Sequence, residues 1–201
     1  MGCKDSKACE TQVVSIEVPE IIPASFKPFA STCLESTGNT VTLTGQANSS
    51  TAIINFLIRT GIWSCTIIFR NSSNNRFVGL IEDSFSVPDF YWAGTDNHSA
   101  GFSGSNGSLY HNGDVTDGLS QFSDSDKITI EVNMASEPRT AVFFVNGVLQ
   151  RTHLINLPDC VNFCASMMEP DSSFTVESIT SVSPQSASHP IEGSVSVVWA
   201  V

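Results

Sequence analysis

The stretch KITIEVNM at 127–134 decides how the chain is read. Ile128, Ile130 and Val132 recur at every second residue, with Thr129, Glu131 and Asn133 between them. Side chains of an extended chain point alternately to opposite faces, so a period of two predicts a strand with one face on a core and the other toward solvent. Downstream, TAVFFVNGVLQ at 140–150 is an apolar run, then Asn146-Gly147, then a return segment. That order predicts a hairpin, because Asn-Gly readily supplies the two positive φ angles a tight turn requires. VNFCASMM at 161–168 and FTVESI at 174–179 supply two more strands. Upstream, VTLTG at 41–45 alternates, and IINFLIRTG at 53–61 places Ile54, Phe56 and Ile58 on one face. WSCTIIF at 63–69 is ended by the polar loop RNSSNN, and RFVGLI at 76–81 follows. No stretch of ten or more residues repeats at helical spacing. The pattern predicts an all-β fold, an antiparallel two-sheet sandwich whose core takes most of the thirteen Phe residues.

The chain has 201 residues, the size of one domain with a substantial core. Nine Lys and Arg face twenty Asp and Glu, a net charge of −11. Such a surface repels the phosphates of nucleic acid and the headgroups of anionic lipid, so nucleic acid is not an expected partner. No apolar run approaches the roughly 18 residues of a membrane-spanning helix. No basic segment followed by an apolar stretch opens the sequence, so no secretory signal is expected. The six cysteines, at 3, 9, 33, 65, 160 and 164, then read as reduced cytosolic thiols. Cys160 and Cys164 lack a second pair or a histidine cluster, so neither a metal nor any other cofactor is expected. The Asn-x-Ser sequons at Asn48, Asn71, Asn97 and Asn106 read as turns. Residues 1–12 are polar and aperiodic, a flexible tail, and 13–182 carry the strands. Residues 183–201 are a Ser-rich linker followed by GSVSVVWAV, an alternating segment that reads as a terminal edge strand.

The motifs fall into a recognisable order. TGIWSCTIIF, RFVGLI, GSLYHNGD, FSDSDKITIEVNM and TAVFFVNGVLQ together resemble a SPRY domain, the core of the B30.2 family, over roughly 25–180. SAGFSGSNG at 99–107 departs from the Trp-Gly pair frequent in that family, with Gly101-Phe102 the nearest match. Nothing upstream resembles a PRY segment, a RING or a B-box. The resemblance implies a bent, concanavalin-like sandwich that binds rather than catalyses. It also implies loops at one sandwich edge forming a shallow pocket for a peptide or a protein surface.

Two loops carry the candidate ligand-binding residues. In SVPDFYWAGTDNHS at 86–99, three adjacent aromatics cannot all face a core if the chain is extended. Tyr91 is expected to point outward as an anchor beside Trp92, with Asp96, Asn97 and His98 supplying polar contacts. In MMEPD at 167–171, Met167 reads as core, while Met168 and Glu169 are exposed enough to meet a ligand. His111 in YHNGD lacks a neighbouring nucleophile and reads as structural. SDSDK at 123–127 resembles half a calcium loop without the remaining ligands and reads as a turn. Glu131 and Glu177 are the only strand carboxylates and read as solvated, which leaves no paired acids for a glycoside hydrolase. The alternative function is a lectin-like, glycan-binding sandwich, for which 89–97 offers aromatics with Asp and Asn.

The sequence opens with MGCKDSK, which fits the N-myristoylation pattern with Ser6 in the hydroxyl position. Removal of Met1 exposes the Gly2 amine for the acyl group. One myristoyl chain binds membrane marginally, with K on the order of 10⁴ M⁻¹, so a second signal is needed. Lys4 and Lys7 are balanced by Asp5 and Glu10, which leaves Cys3 as the palmitoylation site. The expectation is a binding module anchored by lipid to the cytoplasmic face of a membrane, or, without the lipid, a free cytosolic one.

Overall fold

The computed structural model describes residues 21–45, 49–184 and 187–200. The lipidation candidates Gly2 and Cys3 lie outside the described residues, as does Asn48. Among those described there are fifteen strands and no helix. They are β1 (Leu34–Thr37), β2 (Thr40–Leu43), β3 (Ser50–Ile53), β4 (Ile62–Arg70), β5 (Arg76–Glu82), β6 (Ser99–Ser103), β7 (Ser108–His111) and β8 (Asp114–Asp117). After them come β9 (Lys127–Asn133), β10 (Thr140–Val145), β11 (Val148–Leu149), β12 (Thr152–Ile155), β13 (Val161–Met167), β14 (Ser173–Ser181) and β15 (Val195–Val198).

The strands form two sheets. The larger, of nine strands, runs β1-β2-β14-β4-β9-β10-β12-β15, with β11 returning on β10. The smaller, of six, runs β3-β13-β5-β6-β7-β8. Pairing is antiparallel throughout except between β12 and β15, which are parallel. The hairpin at Asn146-Gly147 has φ of 51° and 78°, the left-handed pair that its sequence predicts.

The core lies between the sheets. Ile128, Ile130 and Val132 of β9 point into it beside Cys65, Ile67 and Phe69 of β4, all fully buried. A file of phenylalanine rings runs through it, Phe26 to Phe174 to Phe69 to Phe122 to Phe102 to Phe143, with centroids 4.9–6.1 Å apart. Tilted and edge-on contacts at these distances add to the burial energy of each ring. Arg76 is buried at the edge of this core. Its Nε donates to the Phe122 carbonyl at 2.7 Å, and its Nη1 donates to the Ser72 hydroxyl, the Ser73 carbonyl and Asp124. Asp124 also accepts from the Ser72 amide and hydroxyl. The acidic run at 123–127 thus closes turns: Asp126 accepts from Asn146 and from the Ser123 amide, and these bonds hold its carboxyl below the ordinary range.

Two expectations are corrected. The segment 53–58 is not one strand. β3 ends at Ile53, the chain bulges outward with the Asn55 amide on the Ser25 carbonyl, and Ile58 returns to bridge Val161. Ile54 and Ile58 are both buried because each end of the bulge is held to β13, by way of the Phe163 and Val161 carbonyls. Glu131 is not solvated. It is 7 % exposed because the chain at Ser188 lies across it and donates its amide to Oε1 at 2.6 Å. Burial holds the Glu131 carboxyl above the ordinary carboxylate range. Glu177, by contrast, is exposed and pairs with Lys127 at 2.6 Å.

β5 and β13 are buried at almost every position, which requires cover on both faces of the smaller sheet. Gly79 and Gly101 are cross-strand partners there. A Cβ on Gly101 would lie 2.2 Å from the Val78 carbonyl oxygen and 2.5 Å from the Gly79 Cα, both backbone atoms that cannot step aside. Gly101→Ala is expected to destabilise the fold by about 3 kcal/mol in urea titration. Val115→Ala, on the exposed edge strand β8, is expected to stay within about 0.5 kcal/mol of the parent.

Candidate functional site

The chain from Asp83 to His98 crosses the outer face of the smaller sheet. Phe85, Val87, Tyr91, Trp92 and Ala93 pack there against Ile53, Phe77, Ile81, Tyr110 and Cys164 as a second apolar cluster, separate from the main core. The loop can lie so close because Gly79 and Gly101 carry no side chain beneath it, and the Phe77 ring fills their place. Trp92 and Tyr110 meet that ring edge-on, at 6.1 and 6.4 Å.

Tyr91 is the peg of the loop. Its hydroxyl donates to Asp96 Oδ1 at 2.8 Å and accepts from the Ser99 hydroxyl at 2.7 Å, and Ser99 Oγ in turn accepts from the Gly94 amide. The Tyr91 carbonyl accepts from Thr51, and the Ala93 amide donates to Ser166. The loop's buried polar groups are therefore satisfied by hydroxyls on β3, β6 and β13. Burial pushes the Tyr91 phenol far above its ordinary range, and the Asp96 carboxylate acts in the same direction.

This reverses the expected orientation of the aromatic triplet. Tyr91 is 7 % exposed, whereas Phe90 is 58 % exposed. The reason is the backbone. Phe90 has φ of 60°, so the segment is a turn rather than an extended strand, and consecutive side chains do not alternate. A left-handed residue other than Gly costs roughly 1–2 kcal/mol. The buried neighbours Tyr91 and Ala93 hold it there, and the Asp89 carboxylate accepts the Phe90 amide at 3.0 Å. Tyr91 is a poor choice for probing binding by truncation, since Tyr91→Ala would remove the peg. Phe90 is the residue that the sequence missed, and its only signal there was membership of the triplet.

The remaining candidates are not gathered at one point. Trp92 is half-buried with its ring on Phe77. One Asp96 oxygen already accepts from Tyr91 and from the His98 amide. Asn97 is half-buried. His98 stacks on Phe85 at 4.5 Å and pairs with Glu82 at 3.0 Å. Met168 is half-buried beside fully buried Met167, and Glu169 accepts from the Asn75 amide nitrogen at 2.5 Å. The register separates the two loops. His98 sits beside Glu82 at one end of β5, and Met168 follows Met167, the partner of Arg76 at the other end. At about 3.3 Å per residue, those ends lie roughly 20 Å apart, with Phe90–Ala93 in the loop between.

His111 is structural. Its Nδ1–H donates to the Ser99 carbonyl at 3.0 Å, and Nε2 accepts from the Ala200 amide at 2.8 Å. Cys65 and Cys164 are sealed in the sheets, and burial pushes both thiols up and out of reactive range. Among the described residues, no three His, Cys, Asp or Glu side chains are grouped to hold a metal. A groove of about 480 Å³ lies beside Glu82, lined by Glu137, Arg139 and 156–159. Its lining comes from three separated parts of the chain, so no local pattern could announce it.

No protein-family model and no curated protein matches the sequence. Solved structures match the fold. The SPRY domain of human HERC1 aligns with a TM-score of 0.62 at 22 % identity, covering 76 % of this chain and 96 % of that one. The TRIM65 PSpry domain aligns at 0.61 and 12 % identity, over 77 % of this chain and 89 % of its own. A further human SPRY domain aligns at 0.58 and 16 % identity, over 76 % and 96 %. The chain has the SPRY-type β-sandwich fold.

Because the Tyr91 phenol is raised in the folded state, its contribution to stability is complete below the unfolded value of about pH 10 and declines above it. Thermal melts are expected to lose stability above about pH 10, and Tyr91→Phe is expected to reduce that loss while costing about 1 kcal/mol at neutral pH through the two hydroxyl bonds. In Tyr110→Phe, which leaves Tyr91 as the one tyrosine of the two in the chain, phenolate absorbance is expected to appear only as the fold melts.

Proposed function

We propose that the chain is a non-catalytic module that binds a protein or short peptide on the loop face of its smaller sheet. Phe90 and Trp92 are the apolar anchors, and Asp96, Asn97 and His98 border them, with Met168 and Glu169 at the far end of the face. The observation that carries this reading is Phe90, a large apolar side chain held in solvent by a strained backbone next to buried Tyr91. Local strain that the surroundings maintain is a mark of functional sites, and exposed aromatics are the usual anchors of interfaces. The likeness to SPRY-type folds supports a binding role. The net charge of −11 favours a ligand segment that combines apolar with basic residues. The glycan alternative has less support, since one Asp96 oxygen that a sugar hydroxyl would need is committed inside the loop.

The second half of the proposal is location: acyl groups on Gly2 and Cys3 hold the module at the cytoplasmic face of a membrane. The sequence pattern at 1–7 is its support.

Two experiments test these halves separately. Peptides selected from a random library against the folded chain are expected to bind Phe90→Gly and Trp92→Ala at least tenfold more weakly, by fluorescence titration. Phe90→Gly should also be more stable, by up to about 1 kcal/mol, because glycine adopts the left-handed conformation without cost. Unchanged peptide affinity in both variants would remove the loop face from the account. In cells, the parent chain is expected to fractionate with membranes, Gly2→Ala to be soluble, and Cys3→Ser to bind weakly. Three soluble proteins would leave a free binding module.

A further inference from the structure

The segment that ends in Trp199 sits on the sandwich the way a bound peptide sits on a receptor. β15 lies parallel to the edge of β12, with Thr152 opposite Val195 and Ile155 opposite Val198. The Val195 amide donates to the Arg151 carbonyl and the Trp199 amide to the Ile155 carbonyl, each at 2.9 Å. Side-chain burial is deepest at one residue, while Val197 is half-buried against the main core. Val195 and Val198 are 47 % and 52 % exposed, and Trp199 is 2 % exposed. The Trp199 ring enters the main core cluster and packs on His111 at 5.1 Å, where the next amide, of Ala200, donates to the imidazole. The Ser196 hydroxyl reaches His153 Nε2 at 3.0 Å.

The fit of this anchor is incomplete at one polar atom. Trp199 Nε1 is buried and has no hydrogen-bond partner, a state it shares among the described residues with Asn162 Oδ1 of β13. Buried polar groups of a settled core are normally paired. Among the described residues, no strand is formed between β14 and β15. A row of main-chain bonds to a sheet edge plus one aromatic anchor in a pocket is how sheets take extended peptides from outside.

From this geometry we infer that the β12 edge and the Trp199 pocket are a second binding site, a receptor for an extended segment carrying a tryptophan, and that its partner is residues 193–200 of a second copy of this chain. The site already holds that segment in cis, so each contact can be remade identically in an exchanged pair. What changes is only the tether, which gives the cis segment an effective concentration on the order of millimolar. Reciprocal exchange closes on itself as a two-fold dimer.

The test keeps the full chain. A protease site is placed between Pro184 and Ala187, and the folded protein is cut there. A fluorescent peptide of residues 187–201 is then added in excess and followed by size-exclusion chromatography. The peptide is expected to enter the cut protein and to bind uncut protein at least 100-fold more weakly, and a peptide carrying Trp199→Ala is expected to enter neither. Separately, uncut protein held near millimolar concentration and taken through a mild heating cycle is expected to yield a dimer that cutting at 184–187 abolishes. Exclusion of the peptide from cut protein, or equal entry of the Trp199→Ala peptide, would overturn the site. Peptide entry without a cut-sensitive dimer would overturn the second copy as its partner.

Discussion

The middle strands of the smaller sheet, β13, β5 and β6, have no face left for water, and that constraint shapes most of the chain. β5 and β13 are buried on both sides, so their inner residues must meet the larger sheet and their outer residues must find a cover. The cover is the chain's own loop at 83–98. It can approach only because Gly79 and Gly101 face each other across β5 and β6 without side chains, and because the Phe77 ring fills the space above them. The loop brings buried backbone groups with it, and each needs a partner. Thr51, Ser99 and Ser166, strand residues whose hydroxyls point outward from the sheet, supply those partners. What would be a solvent face of an ordinary sandwich is here an adhesive one.

A similar division of labour recurs at the other end of β5. Arg76 is buried, yet its guanidinium is answered by the Phe122 and Ser73 carbonyls, the Ser72 hydroxyl and the Asp124 carboxylate, and it lies 5.7 Å above the Phe122 ring. Leaving a buried charge uncompensated is far more costly than burying a compensated one. The cation therefore binds the turn before β5 to the turn before β9, in the same way that Tyr91 binds the covering loop to the sheet.

Much of the fold was legible in the sequence, and the reason is local. β2, β4 and β9 are half-buried strands, so their alternation is a direct record of which face meets the core. The hairpin at Asn146-Gly147 was legible because two residues alone determine its turn. What was not legible depended on distant parts of the chain or on a single dihedral angle. Glu131 occupies a polar position of a clean alternation, and only Ser188, 57 residues away, makes it buried. Ile54, Phe56 and Ile58 keep a period of two while the backbone bulges away between them. Tyr91 and Phe90 exchanged places because one φ angle is positive, which no composition rule reveals for a phenylalanine. The ordered motifs pointed to the SPRY-type fold, but the site residues they suggested are spread along β5 rather than gathered.

The arrangement of the covering loop separates two jobs that many binding sites combine. Tyr91, Ala93 and Gly94 face inward and determine where the loop lies, while Asp89 and Phe90 face outward, clear of the apolar cluster beneath. A lineage carrying this domain is therefore free to rewrite position 90 and its exposed neighbours without having to re-solve the packing beneath. Its recognition can diverge at a pace dictated by its partners, while the scaffold underneath stands still.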